Sequence, residues 1–246
     1  MERLGRPSQY GDSFADVYDQ WYGSVTDADA TAQFVADRCD SPNSTVLELG
    51  LGTGRLAIPM ANLGLAVTGL DASLAMLDRC PVHPKITKVC GDMAAIPLTS
   101  EFDAVLIGFN TIFNLTTAES QQSLFGQLRP LVKPQGVLVI ETFNPSLVTQ
   151  ESGATTDLNR RTAESITVVA TSTNVETQQI SGCHVTVANE GVHLRPWSLR
   201  WSRLDELDQW ANQHGFGIEE RSNGWDGTPA DEYSENIVSV YRPKSR

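Results

Sequence analysis

The spacing of apolar residues changes along the chain and predicts an alternation of strands and helices. From Thr45 onward, short runs rich in Val, Leu and Ile alternate with segments of helical spacing, beginning with TVLELG and ending with FDAVLIGF. Such alternation predicts β-α-β units and a parallel sheet. Because the apolar runs are continuous, we expect helices to cover both faces of that sheet.

Helical spacing also precedes and follows this region. Asp12 and Ser13 are residue types that cap helices, and they precede aromatic and apolar residues spaced by three and four, namely Phe14, Val17, Tyr18 and Trp21. Further helices are predicted over 27–39 and 118–131, and a buried strand is predicted to start at Gly136. Together these elements predict one α/β domain with a doubly wound, mostly parallel, Rossmann-like sheet.

The stretch from about 165 to 200 has a different character. ITVVATST, QQISGCHVTVA and VHLRPWSLRW are rich in strand-forming residues and are separated by turn-forming Asn, Gly and Ser. This predicts an antiparallel β insertion. Helical spacing returns over 203–214, Gly215 suits a helix stop, and FGIEER and NIVSVYR predict two closing strands.

The composition of the chain limits the classes of binding partner that we expect. The chain has 246 residues, with 18 Lys plus Arg against 30 Asp plus Glu, so its net charge is −12. That charge repels a phosphate backbone, and nucleic acid is therefore not an expected partner. Without a long apolar run or a signal-like start, we expect a cytoplasmic protein that does not enter a membrane. The scattered cysteines, Cys39, Cys80, Cys90 and Cys183, are expected to be reduced thiols.

A glycine-rich turn follows the first predicted strand. Gly50, Gly52 and Gly54 occupy alternate positions in VLELGLGTG. Glycines at such a junction allow a tight turn and the close approach of a ligand to the backbone. Asp71 ends the second predicted strand, where an acidic side chain accepts hydrogen bonds from ribose hydroxyls. The spacing predicts a cofactor of the adenosine type.

Two neighbouring residues indicate which cofactor this is. In the dinucleotide fingerprint the third glycine comes one place later, where this chain has Arg55, and this disfavours NAD. Glu48 precedes the turn, where it would repel a pyrophosphate but attract a cofactor with an ammonium and a sulfonium. The charge favours S-adenosylmethionine. A purely structural role for Glu48, as an acceptor for the backbone of the loop, is compatible with this interpretation.

Four motifs together carry a family resemblance. ELGLGTG, GLDAS, CGDM and FDAVLIGFN occur in the order found in class I S-adenosylmethionine-dependent methyltransferases, which the chain resembles over 45–141. The resemblance implies S-adenosylmethionine as cofactor and S-adenosylhomocysteine as product. It places Glu48 and the three glycines at the methionine part, Asp71 with Ala72 at the ribose, Asp92 with Met93 at the adenine, and Phe109 also at the cofactor. Asp92 as a cap and Met93 as core packing are the alternatives.

The aromatic N-terminal segment carries a second resemblance. YGDSFADVYDQWY resembles small-molecule methyltransferases, including amino-sugar N-methyltransferases, in which a tyrosine-rich helix closes over the cofactor. Tyr18 is therefore the first candidate for contact with cofactor and reacting group. His184 is the second catalytic candidate, and Glu141 is a further candidate proton acceptor. An aromatic stripe of this spacing is also typical of core packing, so both interpretations stay open.

Ligands of doubly wound sheets lie at the carboxyl ends of the strands, and this predicts the acceptor site. The expected substrate residues are Tyr22, Asn110, Asn114, Phe143 and Asn144, joined by Arg195 and Trp197 of the insertion, unless those two only pack. Asn110-Thr-Ile-Phe lacks the prolines of the nucleic-acid aminomethyltransferase motif, which disfavours base methylation. No carboxylate lies between Phe109 and Leu115, so we expect no metal.

These observations combine into one functional prediction. We expect methyl transfer from S-adenosylmethionine to a nitrogen or oxygen of a small molecule by in-line displacement. A non-catalytic S-adenosylmethionine-binding regulatory module and a nucleotide-dependent oxidoreductase are the alternatives. In this prediction residues 1–44 form a helical lid, 45–142 the cofactor-binding core, 143–200 the β insertion over the acceptor, and 201–246 the closing helix and strands.

Overall fold

A computed structural model of the protein describes residues 6–23, 25, 27–148 and 151–244. The strands of these residues form two sheets. The first comprises β1 (Thr45–Leu49), β2 (Ala66–Asp71), β3 (Ile86–Cys90), β4 (Phe102–Ile107) and β5 (Val132–Phe143), together with the two last strands of the chain, β10 (Phe216–Asn223) and β11 (Asn236–Pro243). The second comprises β6 (Gly153–Arg161), β7 (Ser165–Asn174), β8 (Gln179–Ala188) and β9 (Gly191–Arg200).

The first sheet has the order β10-β11-β5-β4-β1-β2-β3. Strands β1 to β5 pair in parallel, and β11 is antiparallel to both of its neighbours. The second sheet is an antiparallel meander of four strands. The predicted fold, a mostly parallel α/β sheet with an antiparallel insertion, is confirmed.

Eight α-helices of the described residues complete the fold. They are α1 (Gln9–Phe14), α2 (Tyr18–Tyr22), α3 (Ala28–Ala36), α4 (Ala57–Asn62), α5 (Leu74–Leu77), α6 (Ala118–Leu128), α7 (Pro145–Val148) and α8 (Leu204–Gln213). Side-chain caps start several of them: Asp27 accepts from Ala30 N at 2.9 Å, and Thr117 accepts from Ser120 N at 3.1 Å. None of the helices in the described part of the chain is long and apolar enough to cross a membrane.

Helices cover both faces of the parallel sheet, as the continuous apolar strands predict. Leu47 and Leu49 of β1 face one apolar cluster, to which α6 contributes Phe125. Val46 faces the opposite cluster, to which α4 contributes Met60. All five side chains are fully buried. The central strand is therefore fixed from both sides, and so is the turn that follows it.

The N-terminal helix prediction is wrong in one respect. In place of one continuous helix with a cap at Asp12 or Ser13, the chain forms α1 and α2, and Asp12 lies inside α1. The break serves aromatic packing, since it brings the rings of Phe14 and Trp21 to 6.1 Å, in contact with a shared neighbour, His184. Seven residues of unbroken helix would separate the two backbone positions by about 10 Å.

The first strand of the insertion, β6, lies within the range 143–200 assigned to the insertion but before residue 165, where the predicted strand pattern begins. Strand β6 covers nine residues, GATTDLNRR, and every one of them is exposed. No buried face imposes an alternating pattern on such an edge strand, so its sequence resembles a polar loop. The helix over α8 and the two closing strands agree with the sequence prediction.

A buried polar network anchors the second sheet to the first. Gln121 of α6 is fully buried, and its Nε2 donates to the carbonyls of Leu115 and Arg200 at 2.7 Å each. Its Oε1 accepts from Arg200 Nη1 at 3.2 Å and from the Ser202 hydroxyl. Because each of these polar atoms has a partner, the network fixes the end of β9 against α6.

Candidate active site

A cavity of about 350 Å³ lies at the carboxyl edge of the parallel strands. Its walls are the turn after β1, the ends of β2 and β3, the N-terminal segment including α1 and Tyr18, the start of α6, and residues 196–198 of β9. Its size is within the range of small-molecule sites, and its position is that of ligand sites in doubly wound sheets.

The glycine turn forms the floor of the cavity. Gly50, Gly52 and Gly54 all have positive φ angles, of 79°, 58° and 84°. At Gly50 a Cβ atom would lie 2.6 Å from Thr111 Cγ2, so both the backbone angle and the close approach require glycine. Gly50 and Gly52 line the cavity, whereas Gly54 lies outside its lining.

Asp71 holds this turn in place. Its Oδ2 accepts from Gly52 N at 2.8 Å, and its Oδ1 accepts from Ser73 N at 2.8 Å. Burial raises the pKa of Asp71, while these backbone donors lower it. Asp71 and Ala72 both line the cavity. The carboxylate thus couples the glycine turn of β1 to the end of β2.

Glu48 places a buried carboxyl group directly before the turn. It is 2% exposed, and its Oε2 has no hydrogen-bond partner within the described residues. Burial raises the pKa of Glu48 to about 8, although the charge of Arg55 lowers it. A buried carboxyl with an unsatisfied oxygen is expensive, and a cationic group of a ligand would compensate it.

The raised pKa makes the stability of the protein depend on pH through this group. Between the ordinary value of 4.5 and about 8, the folded state retains a proton on Glu48 that the unfolded state has lost. The free energy of unfolding therefore falls as pH rises through this window, by at most about 1.4 kcal/mol per pH unit.

Urea unfolding of the wild-type protein and of Glu48→Gln at several pH values measures this term. We expect the variant to become progressively more stable than the wild type from pH 5 to pH 8, because the amide has no proton to lose. Parallel pH profiles of the two proteins would show that Glu48 does not titrate in this range.

Asp92 and Met93 lie together at another wall of the cavity. Asp92 Oδ1 accepts from Ala94 N at 2.8 Å and caps the short 3-10 helix Met93–Ala95. Met93 is partly buried and packs against the core. Both residues therefore have the structural roles given as alternatives, and both also face the space where a ligand would lie.

Tyr18 covers the glycine turn from above. Its Cε1 lies 3.9 Å from the position of a Cβ built on Gly52. Burial raises the pKa of Tyr18, while the charge of Arg55 and a hydrogen bond with it lower the pKa. The phenol therefore keeps its proton at neutral pH and is available as a hydroxyl, not as a phenolate.

A strained turn follows β4. Phe109 and Asn110 have left-handed backbones, with φ of 46° and 63°. Phe109 N donates to Glu141 Oε2 at 2.5 Å, and Phe143 N donates to Asn110 Oδ1 at 2.5 Å. Strain of about 1–3 kcal/mol per residue persists only where neighbours enforce it, and these hydrogen bonds do so. Glu141 also accepts from Trp225 Nε1 at 3.0 Å, so both of its oxygens are engaged.

Several predicted acceptor residues therefore support the site without lining it. Asn110 and Phe143 shape the turn after β4, and Asn144 donates to the carbonyl of Ser234 at 2.9 Å. The Phe109 ring packs against Tyr22 at 5.9 Å and lies 5.1 Å from the Arg55 guanidinium. The predicted substrate residues that the cavity does contain are Asn114 and Trp197.

His184 lies behind the cavity wall. It is 7% exposed, its ring is 5.3 Å from Phe14 and 5.4 Å from Trp21, and its Nδ1 accepts from Trp197 Nε1 at 3.2 Å. Burial lowers the pKa of His184, with the nearby arginines adding to the effect. A neutral, enclosed imidazole of this kind orients Trp197 and packs the N-terminal helices.

Arg195 also points away from the cavity. Its Nη2 pairs with Asp16 Oδ2 at 2.6 Å, and the residue is 8% exposed. Arg200, the other arginine of the segment, belongs to the Gln121 network. The structure thus directs both arginines to internal contacts. Arg195, an expected substrate residue, therefore lies outside the lining of the cavity.

The structure adds lining residues that the sequence analysis did not name for the acceptor. These are Arg6, Thr111, Thr116, Thr117, Ser120 and Ser198. Thr117 was detectable in principle, because a Thr preceding a predicted helix is an N-cap, and the helix after β4 begins at the ligand-binding edge. Among the described residues no group of three or more His, Cys, Asp or Glu gathers to hold a metal, and the absence of a metal stays a prediction.

Comparison with known proteins adds sequence relationships to this geometry. A family described as "Methyltransferase domain" matches residues 46–136. The CcbJ methyltransferase from Streptomyces caelestis has the same fold over 98% of this chain and 100% of its own, with a TM-score of 0.91 and 32% identity. The chain belongs to the S-adenosylmethionine-dependent methyltransferases.

Two further relatives of this methyltransferase are named for their reactions. The cypemycin N-terminal methyltransferase of a Streptomyces species is 23% identical over 96% of this chain and 98% of its own. The dTDP-3-amino-3,4,6-trideoxy-alpha-D-glucopyranose N,N-dimethyltransferase of Streptomyces venezuelae is 29% identical, over 75% of this chain and 80% of its own. The cofactor of the methyltransferase is S-adenosylmethionine.

Proposed function

We propose that this methyltransferase transfers a methyl group to the amine nitrogen of a small molecule. The observation that carries the proposal is the charge distribution of the cavity. Its charged lining residues are Arg6, Asp71 and Asp92, and the wall formed by residues 111–120 and 196–198 offers only hydroxyl, amide, proline, aliphatic and indole groups. Two relatives named for N-methylation support the same class of acceptor.

The part of the cavity formed by the glycine turn, Asp71 and Asp92, here called the cofactor half, fits S-adenosylmethionine. A cationic cofactor would favour the ionised form of the buried Glu48 carboxyl, whose Oε2 is unpartnered, and Gly50 and Gly52 allow close approach to the backbone. In the proposal Asp71 with Ala72 holds the ribose, and Asp92 with Met93 the adenine. Bound there, S-adenosylmethionine supplies a methyl group already activated on a sulfonium.

The part of the cavity formed by residues 111–120 and 196–198, here called the acceptor half, suits a nucleophile that needs no general base. A neutral amine presents its lone pair directly, whereas an aliphatic hydroxyl must lose its proton during the transfer. The described lining contains no histidine and no glutamate, and its two aspartates belong to the cofactor half. The site therefore favours nitrogen over oxygen, and its main contribution is to hold the amine in line and exclude water.

Asn114, Thr117 and Ser198 would bind polar groups of the acceptor, and Trp197 would provide an apolar surface for it. The first three residues line the cavity around the start of α6 and the end of β9, with Trp197 beside them. Tyr18 would orient the amine with its neutral hydroxyl. We propose that residues 1–44 act as a lid over this space and that the β insertion covers the acceptor.

The proposal extends to partners and location. The net charge of −12 supports a small-molecule acceptor rather than a nucleic acid. We propose a cytoplasmic location, because the cytoplasm supplies S-adenosylmethionine.

A paired acceptor screen tests the function. Amino sugars and other small amines are each offered beside the analogue with a hydroxyl in place of the amine, and S-adenosylhomocysteine is measured by mass spectrometry. We expect turnover with at least one amine, at a rate that rises with the free-amine fraction, and none with its hydroxyl partner. Methylated oxygen would contradict the proposal, and binding of cofactor without product from any acceptor would favour the regulatory alternative.

A further inference from the structure

Strand β9 is an edge of the second sheet, because β8 is its only neighbouring strand within the described residues. It also forms a wall of the cavity through residues 196–198. The side chains of consecutive residues alternate between the two faces of a sheet. Three consecutive residues can line one cavity only where that cavity borders the backbone of the strand. The backbone of the β9 edge therefore adjoins the acceptor half.

One hydrogen bond determines which backbone groups of β9 point away from β8. In an antiparallel pair, every second residue directs both its N–H and its C=O to the neighbouring strand, and the residues between them direct both groups away. Trp201 N donates to the carbonyl of Gln178 at 3.0 Å, directly beyond the last residues of β8 and β9. The register of the two strands continues without a shift, so the odd-numbered residues of β9 also face β8. The even-numbered residues direct their backbone groups to the open edge.

Two further observations agree with this assignment. The carbonyl of Arg200 accepts from Gln121 Nε2 at 2.7 Å, so α6 lies beside the open edge at that point. Proline inside a strand is tolerated where its nitrogen faces an open edge, and residue 196 is a proline. Among the described residues, none hydrogen-bonds with the backbone of Ser198 from this side. Beside the cavity, the edge thus offers the N–H and C=O of Ser198 and the C=O of Pro196.

This pattern of donors and acceptors suits the backbone of a peptide. The N–H and C=O of one residue in an extended chain point in the same direction, so that residue can donate to the Ser198 carbonyl and accept from the Ser198 N–H. A single trans amide cannot make both bonds, because its N–H and C=O point in opposite directions. The side-chain amide of Gln121 already donates to the same edge two residues further along, at Arg200.

We propose that the open edge of β9 at Ser198 binds an extended peptide segment of the methyl acceptor as an added strand. This step rests on the proposed function and specifies its acceptor as a peptide or peptide-like molecule with a free amine close to the bound segment. Main-chain hydrogen bonds fix the direction of such an acceptor whatever its side chains are. The indole of Trp197 and the hydroxyls of residues 111–120 then contact the side chains.

Three tripeptide amides test the site without requiring methyl transfer. They are trialanine amide and its two analogues with an N-methyl group on the second or on the third residue. Successive N–H groups of an extended chain point in opposite directions, so one N-methyl group blocks the edge and the other faces away. Isothermal titration uses the protein saturated with S-adenosylhomocysteine. We expect one analogue to bind at least fivefold more weakly than trialanine amide and the other to bind within twofold of it.

The peptide series has clear contradicting results. Equal affinities of all three peptides, or equal losses for both analogues, would overturn the proposal, because neither result shows the alternation of an added strand. Leu-Ala-Ala amide and Phe-Ala-Ala amide extend the series to larger first residues. If none of the unmethylated tripeptide amides binds at about 10 mM, the proposal is also wrong.

Two proline substitutions provide the matched test on the protein. Ser198→Pro removes the N–H beside the cavity. Val192→Pro removes an N–H from the same open edge, at an exposed position outside the cavity lining. We expect Ser198→Pro to weaken the binding of trialanine amide at least fivefold and Val192→Pro to leave it unchanged, with the affinity for S-adenosylhomocysteine within threefold of the wild type in both. Circular dichroism checks the fold, and unchanged peptide binding by a folded Ser198→Pro protein would overturn the proposal.

Methyl transfer separates the failure of this site from the failure of the proposed function. Transfer to simple amines, with no higher kcat/KM for the tripeptide amides, would support N-methylation and overturn the peptide site. Peptide binding with the alternating effect of N-methyl groups, but without methylated product, would support the site and contradict the proposed function.

Discussion

Replacing Asp71 by alanine is expected to weaken the binding of S-adenosylmethionine by about 100- to 1,000-fold. The carboxylate holds Gly52 N and Ser73 N, each at 2.8 Å, and in the proposed function it also receives the ribose hydroxyls. Hydrogen bonds to a charged group contribute about 1.5–3 kcal/mol each, so losing the ribose contacts accounts for much of the effect. Loss of the hydrogen bond that holds Gly52 in the glycine turn accounts for the remaining loss of affinity.

Isothermal titration of the variants with S-adenosylmethionine and S-adenosylhomocysteine measures this loss. Asp71→Asn keeps the shape and one acceptor oxygen and is expected to bind with intermediate affinity. Asp78→Ala, a change at an exposed aspartate beside α5, should bind as the wild type does. An Asp71→Ala protein that is folded and binds within threefold of the wild type would remove Asp71 from the cofactor site.

Tyr18→Phe is expected to lower kcat by about 100-fold while the affinity for S-adenosylmethionine changes less than threefold. The substitution keeps the ring that covers Gly52 and removes only the hydroxyl that hydrogen-bonds with Arg55. In the proposed function this hydroxyl orients the amine, and loss of alignment of a reacting group costs about two orders of magnitude in rate. Since the pKa of Tyr18 is raised, no phenolate titration should appear in the rate below pH 9.

Steady-state kinetics with the amine found in the acceptor screen separates kcat from KM. Tyr233→Phe is the control, because that residue is 75% exposed and outside the cavity lining. Unchanged kcat in Tyr18→Phe would assign Tyr18 to packing alone. A parallel loss of cofactor binding would instead assign its hydroxyl to the cofactor.

The cofactor half of the cavity could be predicted from the sequence because its residues follow directly after predicted strands. Gly50, Gly52 and Asp71 follow buried strands at fixed points, and parallel strands bring their carboxyl ends to one edge. The helices on both faces were predicted from the continuous apolar runs of the strands, and the closing strands from the local patterns FGIEER and NIVSVYR. The contacts of these residues with a cofactor remain predictions of the proposed function.

The acceptor half depends on tertiary contacts that the sequence does not display. His184 and Arg195 alternate with outward residues in β8 and β9, but only the packing of α1 and α2 shows that they face Trp21 and Asp16. Sequence spacing cannot distinguish a side chain that faces a ligand from one that faces a neighbouring helix. Asn110 was named at the correct strand end, yet its side chain stabilises a turn.

The Gln121 network has a consequence for how such an enzyme changes its acceptor. The second sheet leaves the parallel sheet after β5 and returns before α8, and its last strand is fastened to α6 at Gln121. Mutations within the inserted strands can therefore accumulate without altering the hydrogen bonds that surround Asp71 and the glycine turn. In the proposed function, the segment that binds the cofactor and the segment that recognises the acceptor are thus separate parts of the chain, joined through the buried side chain of Gln121.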